Sequence, residues 1–209
     1  MGVEDISLRQ FVDLQPNGRG QRVIRWAIAR SYDERMEILE EALNDCYRFL
    51  VDVRGLNRKH GEDELSMQVV QMLNMTGIAA QHDRHVNGHC DVVVEHDSGF
   101  MWLGEAKIHR DYGWLEDGFL QLSTRYGTSM KGRDHGELII YHRGSDSESS
   151  KSVLEQWKKR LGERHPEAKV ILDRVDEELF FRTEHPCKNS GRAFYVRHII
   201  IPLRHSPEK

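Results

Sequence analysis

The chain has 209 residues, 38% hydrophobic and 31% charged, with 30 Lys and Arg against 34 Asp and Glu. That is enough apolar material for one domain-sized core, and the net charge of −4 excludes a uniformly basic, histone-like binder. No run approaches the ~20 apolar residues of a membrane span. The first ten residues lack a signal-peptide layout, and three cysteines without a CxxC pair exclude a disulfide framework. A reducing, cytoplasmic setting is expected.

Residues 1–30 are ambiguous: Pro16, Gly18 and Gly20 break the pattern, and Val23–Ile28 reads equally as a strand or the start of a helix. From Asp33, the spacing of Met36, Leu39, Leu43, Cys46, Leu50 and Val53 predicts an amphipathic helix, with Ser31 or Asp33 as cap and Gly55 as stop. Residues 33–52 carry seven acids and two bases, whereas residues 182–205 carry five bases and one acid. Such asymmetry lets a chain meet a polyanion with one side and keep the other turned away, although solvated faces without a partner give the same pattern.

A second helix is predicted from about Gly61 to Gly77, with Leu65, Val69, Met72 and Leu73 inward. An extended stretch, Ile78–Gln81, follows it. A loop with Asn87-Gly88 leads into the strand Asp91–Glu95. Asp97-Ser98-Gly99 then turns the chain into Phe100–Lys107, making a hairpin. Trp114 to Tyr126 suggests a third helix, Leu138–Tyr141 a strand, Val153–Leu161 a helix after the Ser- and acid-rich loop 144–150, and Lys169–Asp173 a strand. Leu179–Arg182 and Phe194–Leu203 read as a C-terminal hairpin. The class is mixed α/β.

The hairpin carries the chemistry. Glu105 and Lys107 lie two apart on a strand and share a face, while Ala106 and Trp102 point to the other, where core packing is the default. Asp91, at the head of the preceding strand, brings a second carboxylate, and such an oxygen-rich pair suits a hard divalent cation. The lysine can meet developing negative charge. Glu62 lies three before Leu65 and seven before Val69, so it belongs to the sheet-facing stripe, whereas Glu64 points about 100° away.

A helix with Glu62, then Asp91-x13-Glu105-Ala106-Lys107 on a hairpin, then another helix, resembles the PD-(D/E)xK nuclease superfamily. The run Glu62-Asp63-Glu64-Leu65 is similar to the helix start of its Holliday-junction-resolvase-like members. The resemblance implies a restriction-endonuclease-like core (α-β-β-β-α-β, a central mixed sheet flanked by helices) over residues 56–143. Residues 1–55 would be an N-terminal helical extension and 144–209 a C-terminal α/β part of the same domain, with a β extension. It implies Mg²⁺ on Asp91 and Glu105 with support from Glu62, Mn²⁺ able to substitute, and Lys107 as the catalytic lysine. It also implies a DNA substrate and the role of nuclease component in a bacterial or phage-defence assembly. Cys90 stands where the family name has proline. Some branches add QxxxY on the next helix; here Gln121 is followed four later by Arg125 and only then by Tyr126. Gln121 and Arg125, four apart, are expected on one helix face where they could touch phosphate, with Arg110, Lys131 and Arg133 as further backbone contacts.

Other readings stay open. An RNA-cleaving or toxin-like enzyme could use the same site, and a non-catalytic nucleic-acid-binding scaffold could keep the fold. His82, His85, His89 and Cys90 on a loop invite zinc, though without paired cysteines. No GxxxxGK[ST] or GxGxxG supports a nucleotide cofactor. Trp114 could stack on a base or pack in the core. A double-strand cutter would pair two sites, making a homodimer or a larger defence complex plausible partners, with the acidic 33–53 helix as the contact.

Overall fold

The computed structural model describes Ser7, Gln10 and residues 18–144 and 148–206; Pro16 and positions 145–147 of the Ser-rich loop lie outside the described residues. Among the described elements the first is α1 (Arg19–Ile28), so Val23–Ile28 is helical, and it is followed by α2 (Tyr32–Asp52), a short α3 (Arg54–Asn57) and α4 (Glu62–Met75). Strands β1 (Ala80–His85), β2 (His89–His96) and β3 (Phe100–Ile108) follow. Next come α5 (Tyr112–Leu120), continued by a π-helical turn (Gln121–Tyr126), and β4 (His135–His142). The rest is α6 (Ser150–Arg164), β5 (Lys169–Arg174), α7 (Val175–Glu178), β6 (Phe180–Pro186) and β7 (Ala193–Pro202).

The seven strands of the described residues form one mixed sheet in the order β1-β2-β3-β4-β7-β6-β5. The neighbours β3–β4 and β4–β7 run parallel and the others antiparallel. Helices cover both faces, which makes this an α/β protein, and strands from residues 169–202 join the same sheet as those from 80–142. Alternation along the strands sorts apolar residues into two cores. On one face α1, α2 and α4 pack Trp26, Leu39, Leu43, Leu65 and Val69 against Val92, Trp102, Ala106, Ile139 and Ile199. On the other, α5, α6 and α7 pack Leu115, Phe119, Trp157 and Val175 against Val93, Leu103, Leu138, Ile140 and Phe181. Trp102 therefore lies in the core with Ala106, as its parity requires. Gly104 makes room for it, since a Cβ there would come within 2.8 Å of the indole.

Helix α2 begins at Ser31, whose Oγ accepts from Glu34 N–H while the Glu34 carboxylate accepts from Ser31 N–H, a reciprocal cap. It breaks at Val53, two residues before the expected Gly55. Its acids are largely used within the chain: Asp45 meets Arg22 at 2.7 Å, Glu41 meets Arg25 at 2.7 Å and Glu40 meets Arg182 at 2.6 Å. With Leu39, Leu43 and Leu50 at 0% exposure, the apolar side is spent on the core too. Of its large apolar side chains, Phe49 stays exposed, at 48%.

Three histidines ring Phe119 on the α5 face, with ring centroids 5.3, 5.2 and 5.8 Å from it for His165, His185 and His198. The Trp157 indole N–H donates to His198 Nδ1, so the ring proton sits on Nε2, 3.0 Å from Thr183 Oγ1. Burial pushes His198 well below the usual imidazole range and His185 down to about 4. Unfolded imidazoles titrate near ~6.5, so the unfolded chain binds more protons between there and the folded values. Stability from these neutral rings is complete above that range and drains as pH falls through it. The melting temperature is therefore expected to drop steeply from about pH 6.5 towards 4.5, and His185→Leu to make the drop shallower. An unchanged slope in the variant would rule out this role for His185.

Candidate active site

Odd-numbered residues of β3 point under α5. There Lys107 Nζ lies 2.6 Å from Glu105 Oε1, and the two residues are 5% and 1% exposed. The second oxygen of Glu105, Oε2, is buried without a hydrogen-bond partner. Helix α5 can approach this closely because residue 118 is glycine: a Cβ there would come within 3.0 Å of Lys107 Cγ and 2.8 Å of Leu138 Cδ1. Asp111 caps α5 by accepting from Trp114 N–H. This places the indole with Lys107 Nζ 4.8 Å and the Arg110 guanidinium 3.7 Å from its ring centre.

Asp91 enters through a break in the ladder. Pairing runs His82↔Val92 and then Arg84↔Cys90 on one side, and on the other it starts only at Val92↔Gly104. Opposite the gap, Asp83 adopts φ 51°. The Asp91 carboxylate takes the place of a strand carbonyl and accepts from Ala106 N–H at 2.7 Å. Burial raises the Asp91 carboxyl, and the charges of Glu62 and the neighbouring sites act on it in both directions. Glu105 is pushed up to about 7, first by burial and then by the Asp91 charge, with Lys107 pulling the other way. The two carboxylates and the ammonium therefore act as one electrostatic unit.

Glu62 is the first residue of α4, and its Oε1 accepts from Ile108 N–H at 2.7 Å and from the Trp114 indole N–H at 3.0 Å. It ties the helix start to the end of β3, and its charge also raises Glu105. Glu64 instead turns back to accept from Gly61 N–H. Of the four residues expected to carry the chemistry, the structure brings Asp91, Glu105, Lys107 and Glu62 to one place.

The helix after β3 departs from expectation. Gln121–Tyr126 is π-helical, and the wider turn brings residues five apart within side-chain reach. Gln121 Nε2 donates to Tyr126 Oη at 3.3 Å, and Tyr126 Oη donates to the His89 carbonyl at 2.5 Å, two residues from Asp91. Tyr126 is 2% exposed and feels the Glu105 charge, whereas Arg125 is exposed. The structure thus pairs Gln121 with Tyr126 and leaves Arg125 exposed. Tyr126 was legible only as one position too late for an α-helical spacing.

Among the backbone-contact candidates, Arg110 is exposed beside Trp114. Lys131 and Arg133 are exposed in the Met130–Arg133 turn next to Phe100, at the opposite end of β3 from Lys107. Six residues of strand from Met101 to Lys107 put them roughly 20 Å away. The histidine group is split by the strand it lies on. His82 points inward with Nε2 buried and unpaired, its charge coupled to Asp91, whereas His85 and His89 are exposed, with Cys90 buried behind them. Among the described residues no group of three or more His, Cys, Asp or Glu side chains is arranged to hold a metal ion.

Gly118→Ala tests how tightly the site is built. The added methyl must displace Lys107 or α5, a loss of about 1–3 kcal/mol by overpacking. Chemical denaturation should show that loss, and Gly162→Ala, at a helix position with open space around it, should not.

No family model matches the chain, and neither a curated protein nor a solved structure is significantly similar to it.

Proposed function

We propose that the chain is a metal-dependent nuclease of the PD-(D/E)xK type that hydrolyses DNA phosphodiester bonds. The observation that carries this reading is the buried Lys107–Glu105 pair facing Asp91, with Glu105 Oε2 left without a hydrogen bond. A surface hairpin would hold its ion pair in water at little consequence. A pair 5% and 1% exposed, next to a further carboxylate, is unfavourable for folding alone. The order α4-β1-β2-β3-α5-β4, antiparallel up to β3 and parallel from β3 to β4, is also that of a restriction-endonuclease-like core over residues 56–143.

Hard carboxylate oxygens and an orphaned buried Oε2 fit a divalent cation, with Asp91 and Glu105 as the holders and Glu62 adding negative charge at the end of β3. Two protein carboxylates with remaining positions left to water is a mode that Mg²⁺ favours, and Mn²⁺ would substitute. When bound, such an ion polarises the phosphate and lowers the pKa of its water. The protein's own groups do the rest. Lys107 supplies a fixed positive charge for the negative charge developing at phosphorus. Glu105, whose carboxyl is pushed up to about 7 by burial and the Asp91 charge, would be held ionised once the cation is bound. Arg110 and Gln121 flank the site as backbone contacts. By analogy with that superfamily, the enzyme would serve as the nuclease component of a bacterial or phage-defence assembly.

Plasmid, linear duplex and single-stranded DNA, beside a matched RNA strand, should be incubated with Mg²⁺, Mn²⁺ or EDTA. Metal-dependent DNA cleavage is expected, falling by roughly 100-fold or more in Lys107→Ala and in Glu105→Gln. Cleavage that survives EDTA and Lys107→Ala would sink the mechanism, and preference for the RNA strand would move the substrate.

A binding measurement checks the metal site without turnover. The cation needs ionised carboxylates, so its affinity rises with pH while Glu105 loses its proton. By calorimetry, Mn²⁺ affinity should increase about tenfold per pH unit below about 7 and level off above it. Glu105→Gln should weaken binding and flatten that profile.

A further inference from the structure

We infer that the edge strand β5 is a self-recognition surface through which two copies of this chain join into one continuous sheet. Strand β5 ends the sheet and among the described strands pairs only with β6, while its first N–H, at Lys169, donates to the Glu167 carbonyl. All six residues of the strand are exposed, and the apolar run Val170, Ile171 and Leu172 is 46%, 49% and 39% exposed. The strand is not a frayed end. The residues that bracket it, Ala168 and Val175, are 4% and 2% exposed in the core, and five register pairs fix it to β6. Natural sheets blunt such edges with charge, proline or bulges. Here Lys169, Asp173 and Arg174 are charged and the strand carries one bulge, but three consecutive apolar residues between the charges stay exposed and there is no proline.

The sequence of the strand names its partner. Lys169-Val170-Ile171-Leu172-Asp173 is self-complementary when read antiparallel. A two-fold axis at Ile171 sets Ile171 against its own copy, Val170 against Leu172, and Lys169 against Asp173, so each apolar residue meets an apolar one and each charge its opposite. Asp173 is half-exposed and already turned to Lys158 Nζ at 2.5 Å, which leaves it able to accept from a second ammonium. The bulge falls at the same place: the β5–β6 register shifts between Val170 and Leu172, around Ile171. In the joined sheet the two β3 strands are nine strand steps apart, four on each side of the axis and one across it, or about 43 Å. Each Asp91–Glu105–Lys107 site stays complete within its own chain, so this inference stands apart from the nuclease reading.

The test is the mass of the full chain in solution by light scattering and sedimentation across concentration. A concentration-dependent dimer of twice 24.4 kDa is expected. Lys169→Asp and Asp173→Lys should each give monomers, because like charges then face one another, and the double swap should restore the dimer. Ile171→Cys should cross-link to its copy under mild oxidation, since directly opposed Cα atoms about 4.5–5.5 Å apart suit a disulfide. Val170→Cys, offset from its copy, should not, and the native Cys46, Cys90 and Cys187 are buried and do not compete. Circular dichroism of each variant establishes that it is folded. A native chain that stays monomeric, a dimer that persists in both single swaps, or association only with a strand of another protein would overturn the inference.

Discussion

A carboxylate and an ammonium 2.6 Å apart, both nearly sealed from water, sit near the middle of the sheet on β3 with a second carboxylate across the ladder. Desolvating such charges costs several kcal/mol per ion, and the mutual attraction offsets this only with good geometry. Much of the surrounding architecture reads as provision of that geometry. Parallel pairing of β3 with β4 fixes Glu105 opposite Leu138 and Lys107 opposite Ile140, residues that are fully buried. Gly118 lets α5 close over the lysine stem, Trp114 lays its ring near the ammonium, and Glu62 pins that indole and the β3 terminus to the start of α4. Two helical layers thus converge on one strand end.

The opposite face offers a control. Glu137 of β4 is also fully buried and its Oε2 likewise has no hydrogen bond, but its Oε1 accepts from Tyr47 at 2.6 Å and its Oε2 lies 3.5 Å from the Arg197 guanidinium, within charge-pairing range. Arg197 in turn donates to Asn44 Oδ1 and lies over the Phe180 ring. This pair joins α2 to β4 and β7, and it has two bases in reach (Arg197 and Arg182) and one further acid, Glu40. Charge there is balanced by neighbours of opposite sign. Around Glu105 the balance runs the other way, with two further carboxylates, Asp91 and Glu62, and one base, Lys107, acting on its titration. Buried charge that is neutralised holds helices to sheets; buried charge with an excess of negative sign is suited to receiving a cation.

Much of this was legible in the sequence because it depends on periodicity alone. Two-residue alternation put Glu105 with Lys107 and Trp102 with Ala106, and helical periodicity placed Glu62 rather than Glu64 towards the sheet. What was not legible depends on long-range contacts. The extended stretch at Ile78–Gln81 became the longer strand β1, whose alternation sends His82 towards Asp91 and His85 to solvent and so dissolves the apparent zinc loop. Lys131 and Arg133 follow the motif by fewer than thirty residues, but the crossover through α5 returns the chain to the far end of β3 before they occur. The acidic charge of α2 looked like a solvent face or a contact, yet its partners, Arg22, Arg25 and Arg182, come from elements 142 residues away at the farthest.

The π-helical turn shows most clearly why spacing and geometry separate. Five-residue spacing places Gln121 and Tyr126 on opposite sides of an α-helix, about 140° apart. One widened turn, hydrogen-bonded i→i+5, at the end of α5 brings them back together. Such turns are seldom retained without a reason, since their backbone hydrogen bonds are less favourable than those of an α-helix. Here the turn delivers a buried phenol to the His89 carbonyl at the entrance of β2. That contact holds the strand where its ladder is about to break, and the break turns the Asp91 carboxylate onto Ala106 beside Glu105. One residue more than an α-helical pattern allows is thus absorbed locally, and the position of the second carboxylate depends on that absorption.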